Sequence, residues 1–72
     1  MAKFYITDQL GGAFHRALLD AEPGDEIVYH VGDHAAGPHR RDAFNAAQEG
    51  LCMIYQRRSG GVFEYTARKK RR

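Results

Sequence analysis

Three polar side chains with the spacing of one helix face form the part of this sequence best suited to recognition chemistry. Arg41, Asn45 and Gln48 stand at positions i, i+4 and i+7, so a helix would present them together. Arginine can form a bidentate pair of hydrogen bonds with guanine, and asparagine or glutamine can do so with adenine, so these residue types recognise base edges well. Arg40 adjoins the same face. The spacing therefore predicts that a helix over residues 38–49 presents a surface for nucleic acid.

Basic residues elsewhere in the chain extend that prediction. Arg57 and Arg58 lead into Ser59-Gly60-Gly61, which indicates a hairpin tip over residues 56–61 with two exposed guanidinium groups. The chain ends in five cationic residues, predicted to form a disordered basic tail on a single domain over residues 1–67: Arg68, Lys69, Lys70, Arg71 and Arg72. We expect the cations of the helix, the hairpin tip and the tail to gather on one surface.

The net charge of +2 conceals two halves of opposite sign. Residues 1–33 carry two basic and six acidic residues, a net charge of −4, whereas residues 34–72 carry nine and three, a net charge of +6. A cationic half suits a polyanionic partner, of which nucleic acid is the commonest. The acidic half offers a different use, because four of its carboxylates could mimic phosphates and occupy the basic groove of another protein: Asp20, Glu22, Asp25 and Glu26.

The first half of the chain predicts a helix followed by a strand. A short apolar segment, 4–6, indicates an opening strand. Leu10, Phe14 and Leu18 recur every four residues and predict one buried helical stripe, with a start near Ala13 as the alternative because Gly11 and Gly12 disfavour a helix. Apolar and polar residues then alternate over residues 26–31, which predicts a strand.

The second half predicts a helix followed by a hairpin. Pro38 suits the first position of the second helix, and Ala43, Phe44 and Ala47 are expected to face inward. Segments 51–58 and 62–67 then pair around the glycine turn. Two faces of this hairpin could be core: one carries Cys52, Ile54, Phe63, Tyr65 and Ala67, and the other carries Leu51, Met53, Tyr55, Val62, Glu64 and Thr66. The predicted fold is α+β with the element order (β)-α-β-α-β-β.

Residues 40–67, a helix that closes at Gly50-Leu51 and runs into a hairpin with Arg57-Arg58 and Gly60-Gly61, resemble the back half of a winged helix-turn-helix DNA-binding domain. The resemblance implies that the helix enters the major groove and the hairpin acts as the wing. One departure is that only residues 32–38 are available for the helix that normally precedes the recognition helix.

The whole chain is also similar to small phage and prophage proteins. The similarity is carried by three short motifs: Tyr29-His30-Val31-Gly32, Gln56-Arg57-Arg58 and Phe63-Glu64-Tyr65. Together the two resemblances imply a phage or prophage transcriptional regulator that binds duplex DNA in the cytoplasm of a bacterial host cell.

Other chemistry has less support in the sequence. His30, His34 and His39 lie within ten residues, but their spacing gives no helical metal-ligand pair, so we expect surface or pH-sensitive histidines and no metal or cofactor. His15 is expected to be structural, and Cys52, in an apolar stretch, to be a small buried hydrophobe. No glycine-rich phosphate loop, nucleophile elbow or carboxylate pair is found, and no apolar run is long enough to span a bilayer, so neither an enzyme nor a membrane protein is expected.

Two further functions and one assembly state remain open at this point. A protein-binding inhibitor of a host or defence complex, anti-CRISPR-like or directed at a polymerase, could use either charged half. RNA binding could use Tyr55, Phe63 and Tyr65 as stacking platforms. A homodimer could supply burial that a 72-residue chain lacks by itself.

Overall fold

Two helices and a four-stranded sheet make up the protein, and the predicted α+β class and element order are confirmed. The computed structural model describes residues 2–34 and 37–71. Its elements are β1 (Lys3–Tyr5), α1 (Ala13–Asp20), β2 (Glu26–Gly32), α2 (Arg40–Gln48), β3 (Cys52–Ser59) and β4 (Val62–Lys69). In this part of the chain, neither helix has the length and hydropathy needed to cross a membrane.

The sheet is mixed, with the strand order β1-β2-β4-β3. β1 and β2 are parallel neighbours joined through α1, whereas β4 lies antiparallel to both β2 and β3. The β3–β4 hairpin closes with a two-residue turn, since Ser59 pairs with Val62. Gly60 and Gly61 both have positive φ angles, 56° and 90°, which is why this turn needs glycine at both positions.

The core lies on the side of the sheet that carries both helices. The hairpin face bearing Cys52, Tyr65 and Ala67 belongs to one buried cluster with α1 and α2, which decides between the two faces that the sequence left open. Phe14 is 1% exposed, and its ring meets Tyr29 edge-on with centroids 5.8 Å apart. Aromatic pairs of this geometry add to the free energy of area burial alone.

Both helices differ from the sequence prediction in which residues they bury. α1 begins at Ala13, the alternative start, so Leu10 lies outside the helix and is 86% exposed. α2 begins at Arg40 and buries Ala43 and Ala46. Phe44, predicted to face inward, is 53% exposed. At 100° per residue, the buried side of α2 centres between Ala43 and Ala46, which turns Phe44 toward solvent.

A buried histidine fixes where α2 starts. His39 is fully buried, not on the surface as predicted, and its Nε2 donates a hydrogen bond to the carbonyl oxygen of Ile6 at 2.9 Å. That bond ties the residue before α2 to the end of β1. Nδ1 of His39 has no hydrogen-bond partner among the described groups. His15, expected to be structural, is exposed on α1.

Asp25 joins the N-terminal end of the chain to the turn between α1 and β2. Its carboxylate accepts hydrogen bonds from the backbone N–H groups of Ala2, at 2.8 Å, and Glu22, at 2.9 Å. These two bonds hold the pKa of Asp25 below its ordinary value of 3.8. The carboxylate thereby holds the start of β1 beside β2.

Replacing Asp25 with asparagine is expected to lower the melting temperature at neutral pH and to flatten its dependence on acid. The folded pKa is depressed, so the contribution of the carboxylate is present above its ordinary pKa and is lost as the pH falls through the folded value. Thermal melts of wild type and Asp25→Asn from pH 7 to pH 2 measure this. The difference between the two proteins should shrink in acid, and a constant difference would contradict the role given to the carboxylate.

Candidate nucleic-acid interface

The solvent face of α2 carries the polar side chains expected from the sequence. Arg41, Asn45 and Gln48 are all exposed, on the side of the helix opposite the buried alanines. Arg40 is exposed at the first turn. Phe44 lies one turn after Arg40, so this face also presents an aromatic ring that the sequence assigned to the core. The helix therefore offers guanidinium, amide and aromatic groups together.

A groove separates α2 from the hairpin. It has a volume of about 340 Å³, and its lining comes from α2 and from strands β2, β3 and β4: Tyr29, Arg40, Phe44, Ile54, Tyr55, Gln56 and Tyr65. None of these residues is acidic. Gln56 was not among the binding residues predicted from the sequence, but its side chain faces the same way as Ile54 and Arg58, because alternate residues of a strand share a face.

We define the α2–β3 surface by seven exposed side chains, five on α2 and two on the helix side of β3: Arg40, Arg41, Phe44, Asn45, Gln48, Gln56 and Arg58. It contains three arginines and three amides. Such a combination can bind phosphate oxygens through the arginines and base edges through the amides.

The two arginines of the hairpin tip point to opposite faces of the sheet, whereas the sequence predicted that they share one exposed tip. Adjacent residues of a strand point to opposite faces. Arg58 lies on the helix side, with its guanidinium 6.0 Å from the ring centroid of Phe63. Arg57 lies on the other side, over the ring of Tyr55 at 5.6 Å and 3.6 Å from the carboxylate of Glu26. Only Arg58 belongs to the α2–β3 surface.

The face of the sheet without helices, termed the open face, is organised by two glutamates. Glu26 accepts a hydrogen bond from the hydroxyl of Tyr55 and pairs with Arg57. Glu64 accepts one from the hydroxyl of Tyr5 at 2.9 Å and pairs with Lys3 at 3.2 Å. The bonds from Tyr5 and Lys3 lower the pKa of Glu64. The two carboxylates of the open face are thus each paired with a cation of the same face, Arg57 or Lys3.

The basic tail is partly built into the sheet. β4 extends to Lys69, two residues beyond the predicted end of the domain at Ala67. The ammonium of Lys69 donates to the carbonyl oxygens of Ala21 at 2.6 Å and Leu19 at 3.5 Å, at the C-terminal end of α1. The backbone N–H of Lys70 donates to Leu51. Residues 68–70 are therefore ordered, whereas the sequence predicted a disordered tail over residues 68–72.

Two cationic groups expected on one surface lie at opposite ends of β4. The tip precedes Val62 and the tail follows Lys69, so eight strand residues, about 25 Å, separate them. Arg68 points from β4 toward the open face, opposite Glu26 in the register. Lys70 and Arg71 are exposed, and Arg72 lies outside the described residues. The single cationic surface predicted from the sequence is therefore wrong in this respect.

The acidic cluster is also divided by the fold. Asp25 is buried on two backbone N–H groups, and Glu26 is engaged by Tyr55 and Arg57. Only Asp20 and Glu22 of the four predicted carboxylates are exposed. Two of the four carboxylates that could have mimicked phosphates are thus engaged by other groups of the same protein.

The side chains that could bind a metal or act as a nucleophile do not form such a site in the described part of the chain. Among residues 2–34 and 37–71, no three metal-ligating side chains come together. Cys52 is 1% exposed, and burial raises the pKa of its thiol, so it behaves as the small hydrophobe predicted.

No protein-family model, curated protein or solved structure matches this chain.

Proposed function

We propose that this protein binds duplex DNA through the α2–β3 surface. The observation that carries the proposal is the exposure of Arg40, Arg41 and Arg58 together with three amide side chains on two neighbouring elements, α2 and β3, and the groove between these elements has no acidic residue in its lining. Arginines on two elements can hold neighbouring phosphates, while the amides of Asn45 and Gln48 reach base edges.

The arrangement of elements supports docking by helix and hairpin together. α2 packs along the hairpin, and the groove between them joins Phe44 of the helix to Gln56 of β3. This is the relationship that the winged-helix resemblance implies between a recognition helix and its wing. The described residues between β2 and α2, 33–34 and 37–39, contain no helix, so α2 would dock without the usual preceding helix. We also propose the role that the resemblance implies, a phage or prophage transcriptional regulator.

A second candidate function is binding to a host protein, and one observation favours it. Phe44 is a half-exposed aromatic ring surrounded by arginine and amide side chains, and buried aromatic and arginine residues dominate protein interfaces. The two candidates use the same surface. They differ in salt dependence, because counterion release makes DNA binding weaken steeply as salt rises.

A comparison of the two tip arginines tests the proposed function. Arg58→Gln and Arg57→Gln each remove one positive charge from adjacent residues, but only Arg58 lies on the α2–β3 surface. In mobility shifts with random duplex DNA across a salt series, Arg58→Gln is expected to weaken binding about fivefold to tenfold and to reduce the salt slope by about 1. Arg57→Gln is expected to bind like wild type.

The same experiment can overturn the proposal. Equal losses from both variants would mean that net charge, and not this surface, drives binding. Absence of binding by the wild type at 50 mM salt would exclude duplex DNA and leave the protein partner.

A further inference from the structure

Among the described residues, no strand pairs with the outer edge of β1. Backbone groups of Ala2 and Ile6 bond to β2, through Glu26 N–H to Ala2 oxygen and Ile6 N–H to Val28 oxygen. Because strand residues alternate in direction, the N–H and C=O groups of Lys3 and Tyr5 point away from β2, and β1 is the last strand of the sheet. Such an edge is a template for another strand.

The two edges of the sheet differ in what they present. The β3 edge carries Gln56, Arg57 and Arg58, and the like charges of its two arginines would repel a second copy. The β1 edge carries Phe4 and Tyr5, both about half exposed, beside a groove of about 960 Å³ between β1, the 8–12 segment and α1. The apolar edge with space beside it is the one suited to pairing.

We propose that two copies of this chain associate through their β1 edges, antiparallel about a two-fold axis at Phe4. This register pairs Lys3 with Tyr5 of the second copy and Tyr5 with Lys3, each as a hydrogen-bonded pair, and places the two Phe4 side chains opposite each other. No like charges face each other directly. Each Lys3 comes beside a tyrosine that is already hydrogen-bonded to Glu64, which adds a favourable charge contact.

The flank of α1 beside this groove is complementary to itself. Arg16 and Asp20 line the groove one turn apart, together with the small residues Ala13 and Ala17. A two-fold axis normal to the sheet makes the two α1 helices antiparallel, so where these flanks meet, Arg16 of one copy can pair with Asp20 of the other, and the reverse. Alanines at such a crossing let the helices approach closely. The strand register and the helix charges thus both favour a second copy of this chain as the partner at the β1 edge.

The dimer would have a continuous eight-stranded sheet with all four helices on one face. Five to seven strand spacings, about 24–34 Å, separate the two α2 helices in that sheet. The upper part of this range approaches one turn of B-DNA, so a two-fold DNA site would suit the proposed function. The dimer itself does not rest on DNA binding.

Sedimentation equilibrium of the free protein tests the dimer, with Tyr5→Pro as the blocking variant. The N–H of Tyr5 faces the open edge, so proline there leaves the β1–β2 bonds intact and removes a donor to the second copy. Wild type from about 10 to 500 µM is expected to show a monomer–dimer equilibrium, since small interfaces are weak. Tyr5→Pro should raise the dissociation constant at least about tenfold. Tyr5→Phe, which also loses the bond to Glu64 but keeps the N–H, should dimerise.

Exchanging the charges of Arg16 and Asp20 on α1 provides a second, independent test of the dimer that leaves β1 unchanged. Arg16→Asp places two acids at each helix contact and should weaken the dimer, whereas Arg16→Asp combined with Asp20→Arg restores opposite charges and should recover it. Far-UV circular dichroism checks that each variant is folded. A wild type that is monomeric throughout the range, or a dimer indifferent to both Tyr5→Pro and Arg16→Asp, would overturn the proposal.

Discussion

Replacing Phe14 with alanine is expected to lower the free energy of unfolding by about 3–5 kcal/mol, the usual cost of truncating a fully buried aromatic ring. Phe14 is 1% exposed and meets Tyr29 edge-on, so its loss leaves a cavity at the contact between α1 and the sheet. A 72-residue domain has a total stability of about 4–11 kcal/mol. The variant should therefore melt at least about 15 °C lower in thermal denaturation.

Phe44→Ala is the matched control, because it makes the same truncation on the other helix. Phe44 is 53% exposed, and truncation there should change stability by less than about 1 kcal/mol. The sequence alone predicted that both rings face inward. Comparable losses of stability in the two variants would restore that prediction and contradict the orientation of α2.

Removing all three arginines of the α2–β3 surface is expected to have the largest effect on binding. At about 1 kcal/mol or more for each charge-assisted contact, Arg40→Gln, Arg41→Gln and Arg58→Gln together should weaken duplex binding about 100-fold at 150 mM salt. Because each lost phosphate contact reduces the salt slope by about 0.9, the slope should become shallower by about 2.7. Fluorescence anisotropy with labelled duplex DNA across a salt series measures both quantities.

A triple lysine variant at the same three positions separates charge from geometry. Lysine keeps the positive charge but lacks the planar fork of arginine. If the arginines mainly hold phosphates, the lysine variant should keep the salt slope of wild type and most of its affinity. A lysine variant as weak as the glutamine variant would assign these side chains to base recognition. If the glutamine variant binds with wild-type affinity, the α2–β3 surface is not the binding site.

The sequence predicted the α2 part of the candidate site more completely than the hairpin part. The i, i+4 and i+7 spacing of Arg41, Asn45 and Gln48 was enough to place them on one helix face, because helical geometry is local. The alternation of strand residues also places Arg57 and Arg58 on opposite faces of the sheet. This alternation is visible in the sequence, but the prediction of a shared tip did not take it into account. Which of these two arginines lies beside α2 depended on which face of the hairpin is core.

Local patterns in the sequence determined the order of the six elements, the glycine turn of the hairpin and the polar face of α2. Each of these depends on residues within a few positions of one another, through backbone preference and side-chain periodicity. Only the tertiary structure decided which hairpin face is buried, that His39 is internal and that Lys69 binds the end of α1. Those outcomes depend on contacts between residues about 30 to 50 positions apart, which short-range patterns do not encode.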